Sequence, residues 1–300
     1  MEKKNRRKMG IIRGIISIFS AIGFLACTVA LLYPVISDRW NRYRDMQLIT
    51  NYNEKISGIS DDEYNDIIEM ANKYNRELRM KGKATVTDKE YAPDEYYEEQ
   101  LNLSGNGMMG YIEVPCIGVS EPIYHYSTDD ILMKGIGHIH GSSLPVGGDS
   151  TYTILTGHRG LPNQKFFSDL DQVKIGDKFY VHILNETLAY QVYDIVAIEP
   201  HDIEMLSIQD GRDLMTLVTC TPYGVNTHRL LVMGERIEFN VEENVSGGFV
   251  TNEEHKEVID PAVWVFIGFV VFILLLIIIS VISKLISRHR VKVKNRLEVK

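Results

Sequence analysis

Two long apolar runs stand at either end of the chain. The first extends from about Gly14 to Ile36 and follows Lys3, Lys4, Arg6, Arg7, Lys8 and Arg13. The second, Val263 to Ile282, contains no charge and precedes Lys284, Arg288, Arg290, Lys292, Lys294 and Arg296. Each is near the roughly 20 residues needed to cross a bilayer. The basic residues lie before the first run and after the second, so the positive-inside rule predicts both termini in the cytoplasm and residues 37–262 outside the cell membrane. Tyr33, Trp40 and Trp264 fall near the outer ends, where interfacial aromatics collect. A cleaved signal peptide also fits the first run, with small residues at Ala26, Cys27, Thr28 and Ala30. No small-x-small site precedes a polar start, which favours an uncleaved signal anchor.

Between the runs the periodicity changes twice. Residues 38–81 are polar with helical spacing: Ser60 followed by Glu63 reads as a capping box, and Ile67, Ile68, Ala71, Tyr74 and Leu78 recur at three- and four-residue intervals. Periodicity is lost around 82–100 and the stretch closes at Ser104-Gly105-Asn106-Gly107, which predicts a loop with a short helix. From Met109 to Phe239 short runs rich in Val, Ile, Tyr and Thr alternate with Gly, Pro and Asp clusters. They include Gly110–Val114, Thr151–Leu155, Lys178–Leu184, Leu188–Ile198, Met215–Cys220 and Arg229–Phe239. This spacing predicts an all-β barrel or sandwich rather than alternating βα units. Residues 241–260 are acidic and read as a linker.

An apolar fraction of 45% over 300 residues permits a sizeable core beside the anchors. The net charge of −8 is unevenly spread: residues 1–33 carry +5 and residues 283–300 carry +6, which leaves −19 between them. An acidic body excludes nucleic acid as partner, because phosphate binding needs basic patches on the folded part. Cys27 lies in an apolar run, so only Cys116 and Cys220 belong to the body. One bridge between them is arithmetically open, but it is not the framework of a disulfide-rich secreted domain. A free thiol outside the cell invites a catalytic reading. From the count alone, a buried inert cysteine is the commoner case.

Alternation along 215–220 puts Thr216, Val218 and Cys220 on one face of a strand that ends at the turn-rich Thr221-Pro222-Tyr223-Gly224. A further strand begins at Arg229, and antiparallel pairing would bring Cys220 and Arg229 to one rim. His158 follows the run Thr151–Leu155 within Thr156-Gly157-His158-Arg159-Gly160, a glycine-flanked turn. A thiol needs a base or a cation nearby to act as a nucleophile near neutrality, and histidine titrates in the range to assist.

These residues resemble a known family. Thr216-Leu217-Val218-Thr219-Cys220 matches the Thr-Leu-x-Thr-Cys signature of sortases. The run Cys220-Thr221-Pro222-Tyr223-Gly224-Val225-Asn226-Thr227-His228-Arg229 is similar to class C, pilin-polymerising sortases of Gram-positive bacteria. Gly110-Tyr111-Ile112-Glu113-Val114-Pro115, Gly141-Ser142-Ser143-Leu144-Pro145 and Thr156 to Pro162 resemble that class too, and the likeness spans roughly residues 105–240. The resemblance implies a mainly β chain: a closed sortase-type β-barrel with N-terminal helices, plus two transmembrane helices. It implies a cysteine transpeptidase in which the Cys220 thiolate attacks the Thr–Gly carbonyl of an LPxTG-like sorting signal. His158 as imidazolium would protonate the leaving amine, Arg229 would hold the oxyanion, and a lysine amine of a pilin subunit would resolve the thioacyl enzyme. No cofactor and no metal is implied. The class commonly carries a lid with an Asp-Pro-aromatic motif, from which this chain departs. The reading here is a lid-like loop within 82–95 using Asp88 and Tyr91, weighed against an ordinary solvated linker, with Thr219 as a groove residue and His138 as a structural or groove residue.

The organisation expected is a cytoplasmic basic tail (1–13), a signal anchor (14–36), an extracellular helical segment with the lid (37–106), the catalytic barrel (107–241), a linker (242–262), a second span (263–282) and a second cytoplasmic basic tail (283–300). His138-x-His140 with His125 lacks a carboxylate or Cys at ligand spacing, so a loop role outweighs a metal site. Asp169 and Asp171 could orient the imidazole, though a solvated turn is the commoner role. Two other functions stay open: a housekeeping-type sortase that attaches surface proteins to cell-wall peptide, and a non-catalytic membrane assembly scaffold.

Overall fold

The computed structural model describes residues 2–81, 93–161 and 164–239, together with 268 and 270. Helix α1 (Glu2–Ser57) passes through the first apolar run, with Pro34 inside it, and continues to the edge of the β domain. Its last turns are pinned there. The Tyr52 hydroxyl donates to Met109 O at 2.8 Å and accepts from Leu184 N at 2.9 Å, and Gln164 Nε2 donates to Asp45 Oδ2 at 3.1 Å.

Helix α2 (Asp61–Met80) starts where the capping box predicts. Ser60 Oγ accepts from Glu63 N at 3.2 Å, and Asp61, Asp62 and Glu63 face the positive end of the helix dipole. The predicted stripe of Ile67, Ile68, Ala71, Tyr74 and Leu78 packs on the barrel core. Asn75, buried in that stripe, clasps Leu144 by both backbone groups: its Nδ2 donates to the carbonyl at 3.2 Å and its Oδ1 accepts from the amide at 2.7 Å. The short α3 (Glu95–Glu98) is capped by Asp94 and drives Tyr97 fully into the interior.

Eight strands close a barrel: β1 (Met108–Val114), β2 (Val119–His125), β3 (Ile136–His138), β4 (Thr151–Thr156), β5 (Lys178–Ile183), β6 (Glu186–Ile198), β7 (Asp213–Thr221) and β8 (His228–Ile237). Their order around the wall is β1-β2-β3-β4-β7-β8-β6-β5. Two pairs are parallel, β2 with β3 and β4 with β7, and the rest antiparallel. A short helix α4 (Asp129–Leu132) bridges β2 to β3. β4 and β7 are covered on both faces along most of their length. Met215 and Leu217 point into the main core, whereas Ile154, Val218 and Leu231 form a separate cluster with Ile139, packed against Val196, Ile198 and Leu206. β2 and β3 were not among the runs singled out from sequence. β2 carries Glu121 and Pro122, which interrupt a β pattern, and β3 is three residues long.

The chain divides into two units, Met1–Val241 and Glu242–Lys300. The predicted linker, second span and basic tail fall in the latter, outside the described residues except 268 and 270. The expectation of two transmembrane helices is corrected. Among the described residues one helix, over Ile18–Ser57, is long and apolar enough to cross a membrane. Placing both termini in the cytoplasm required two crossings, and among the described residues there is one such helix, so that localisation is corrected as well.

Candidate active site

Cys220 and Arg229 are direct partners across the antiparallel β7–β8 ladder, next to Thr219↔Leu230 and Val218↔Leu231. The parallel β4–β7 ladder ends at Thr156↔Val218, and Gly157 N donates to Val218 O at 3.1 Å. Two residues further along each strand come His158 and Cys220, so the register directs both toward the same rim. Alternation also gives them one face. Cys220 shares a face with Val218, Arg229 with Leu231, and His158 with Ile154. Those three apolar partners belong to the cluster outside the main core. The trio therefore stands at the end of an apolar strip on the outer wall, and each of its members is half-buried.

The electrostatics follow from this placement. Burial pushes the His158 imidazole below its ordinary range, and the Asp129 carboxylate at the start of α4 opposes the shift. A neutral, half-buried imidazole next to a thiol can take its proton, and the resulting imidazolium can return one to a leaving amine. Arg229, an always-charged donor fork, occupies the strand position opposite Cys220. Cys220 and Cys116 are both free thiols, which removes the bridge between them. Cys116 lies at the β1–β2 turn, where partial burial of the sulfur and the neighbouring Asp177 carboxylate push it up to about 11. A thiol held protonated is a poor nucleophile.

The family model for the sortase domain matches residues 112–237. Among solved structures, sortase C1 of Streptococcus agalactiae is 45% identical over 65% of this chain and all of its own, with a TM-score of 0.60. The chain belongs to the sortase family. A Clostridium perfringens sortase C, solved with the C-terminal cell wall sorting motif, is 44% identical over 65% of this chain and all of its own, at a TM-score of 0.56. Sortase A of Staphylococcus aureus is 30% identical over 43% of the chain and 62% of its own length. The chain spans about two thirds or less of the length of the curated relatives it matches. The likeness to solved sortases C makes this a sortase of the class C, pilin-polymerising type, a family of cysteine transpeptidases.

The remaining predicted positions divide. Thr219 and His138 are in the sortase interior with their polar atoms engaged, so neither lines a groove. Thr219 Oγ1 donates to Gly157 O at 2.8 Å. His138 Nε2 donates to Ser143 O at 2.8 Å, and its Nδ1 faces the Tyr97 hydroxyl at 2.6 Å. The alternation that turns Cys220 outward turns Thr219 inward. Asp88 and Tyr91 lie outside the described residues, as does most of the lid-like loop. His125 sits between two carbonyls, with Gly107 O 2.9 Å from Nδ1 and Gln100 O 2.8 Å from Nε2, and His140 meets Asp94 at 3.3 Å. Among the described residues no group of three or more His, Cys, Asp or Glu is arranged to hold a metal ion. His228 is exposed and pairs opposite Thr221, one step off the reacting face. Asp171 is bound to the Arg159 guanidinium. Sequence reasoning missed Asp129 and Arg159. Arg159 had a signal of its own, a long cation between two glycines in a turn, but nothing in the sequence pairs Asp129 with His158.

Proposed function

We propose that this sortase cleaves an LPxTG-like sorting signal between Thr and Gly and transfers the acyl group to a lysine amine of a pilin subunit. The Cys220 sulfur attacks the threonine carbonyl, and the oxyanion forms beside Arg229. The tetrahedral centre collapses as His158 protonates the departing glycine amine, which leaves a thioester on Cys220. The lysine amine attacks that thioester, gives up a proton to His158, and frees the sulfur with an isopeptide bond formed. The apolar strip of Ile154, Val218 and Leu231 beside the trio favours an amine nucleophile over bulk water.

The observation that supports this reading is the double register: Cys220 pairs with Arg229 across β7–β8, and β4, paired with β7 up to Thr156↔Val218, leads into His158 two residues on. The pilin partner is supported by identities of 36–45% to the solved sortases C, one of them holding a sorting motif. The test uses the full-length protein in detergent with an LPxTG-type peptide, followed by mass spectrometry. A thioester on the Cys220 peptide is expected, resolved faster by a pilin lysine than by water or a cell-wall amine. No adduct on Cys220 sinks the reading, and preferential resolution by the cell-wall amine replaces the pilin partner with a housekeeping one.

A further inference from the structure

We propose that Arg159 is a positioning residue that clamps the ends of β4 and β7 together and thereby holds His158 against Cys220, a role that rests on the reading of those two as the reacting pair. The backbone ladder between the strands reaches Gly157, and two side-chain links carry the contact further. Thr219 Oγ1 reaches back to Gly157 O, and Arg159 Nη1 donates to Thr221 Oγ1 at 3.1 Å. Arg159 directly follows His158 and Thr221 directly follows Cys220. The link therefore joins the two residues next to the reacting pair.

The rest of the guanidinium is spent on the same corner. Nε donates to Ser168 O at 3.2 Å, Nη2 binds the Asp171 carboxylate, and the Tyr223 ring lies 5.7 Å from Cζ. The loop after His158 is closed from within as well, by Phe167 N to His158 O at 3.3 Å and Gly160 N to Ser168 Oγ at 3.0 Å. Tyr223 rests on Gly160, where an added Cβ would come within 3.1 Å of the ring at a φ of +84°. Three nitrogens of one planar group thus hold three segments: the β4 exit, the turn at 168–171 and the β7 exit. The Arg159 side chain is 6% exposed, whereas Asp171 is 49% exposed. A cation kept that far from water is retained where its fork geometry is used, and a lysine cannot reproduce the fork. The simpler role is a structural staple, which would lower stability and leave the site chemistry alone.

The experiment compares wild type, R159K, D171N, H158A and R159K/H158A as full-length proteins in detergent. Alkylation of Cys220 by iodoacetamide is followed across pH on the Cys220 peptide by mass spectrometry, beside kcat and KM for thioester formation. R159K is expected to lower kcat about 10- to 100-fold with KM within about twofold, and to move the alkylation profile to that of H158A. Adding R159K to H158A should change little more, on the order of twofold, because the clamp then has no histidine to place. D171N should move the same way by less, and its exposed carboxylate keeps the test available should R159K fold poorly. A lower melting temperature with a wild-type alkylation profile and kcat, or an equal loss in the H158A background, overturns the proposal. Wild-type protein that forms no thioester overturns the transpeptidase reading instead, and the alkylation comparison still decides the role of Arg159.

Discussion

Tyr97 and His138 meet inside the sortase at 2.6 Å, phenol oxygen to Nδ1, with both rings shut off from solvent. Because His138 Nε2 donates to Ser143 O, the neutral tautomer fills both ring positions. Burial, with His125 and His140 nearby, pushes the imidazole down to about 3 from an ordinary 6.5, while its bond to Ser143 O works the other way. The unfolded chain therefore binds a proton that the folded chain refuses between those two values. The contribution of His138 to stability is complete above about 6.5 and declines as pH falls toward 3. His138→Gln should be less stable at neutral pH, yet its unfolding free energy should change less between pH 7 and 5. Denaturant titrations at the two pH values check this, and a slope as steep as wild type refutes it.

Glu121 on β2 behaves with the opposite sign. Its Oε2 has no partner among the described residues, and burial raises its carboxyl well above the ordinary range. The folded chain holds the proton while the unfolded chain releases it, so this group's contribution to stability is greatest in acid and is lost as pH rises past 4.5. Glu121→Gln should raise the melting temperature, and by more at pH 8 than at pH 5. Equal gains at both, or a loss at pH 8, would falsify this.

Asp129 acts on His158 through space. Its carboxylate supports the imidazolium against burial. Asp129→Asn should lower the His158 titration midpoint further and shift the matching limb of the kcat/KM profile to lower pH. NMR of the His158 ring protons reads the first and peptide-cleavage kinetics the second. An upward movement of either contradicts the assignment.

Loss of each reacting group should leave its own kinetic signature. Cys220→Ala should abolish the thioester. Arg229→Ala should lower kcat on the order of 10²- to 10³-fold with the peptide still bound, as removal of an oxyanion donor does. His158→Ala should cost on the order of 10²- to 10⁴-fold, and less with a substrate whose leaving amine needs no protonation. Equal losses for good and poor leaving groups would count against the acid role.

The β domain was legible because its strands obey period-two alternation between strong turn signals. The face shared by Thr216, Val218 and Cys220 could be read directly, and antiparallel pairing through a short loop brought Arg229 opposite. The α2 stripe was legible from its capping box and its three- and four-residue spacing. β2 and β3 were not, since Glu121 and Pro122 break the pattern of one and the other is too short to have a period. Thr219's inward direction follows from the same alternation, but the burial of His138 depends on neighbours far away in sequence, Tyr97 among them. Arg159 and Asp129 were hidden for the same reason. Arg159's partners lie on separate segments up to 62 positions off, and the pull of Asp129 on His158 spans two strands.

The junction between α1 and the barrel fixes an azimuth. Gln164 grips the helix at Asp45, and Tyr52 is held by β1 and by the β5–β6 turn at once. The domain therefore cannot swivel about the helix axis without breaking those bonds. Each residue of α-helix turns about 100° and advances about 1.5 Å. One residue added just below Asp45 would thus turn the cysteine rim by about 100° relative to the apolar stretch of the helix, while seven would restore that angle to within about 20° and lengthen the stalk by about 10 Å. The helix is in that sense a gauge: its length in residues sets the angle and the reach at which the rim is carried from its apolar end.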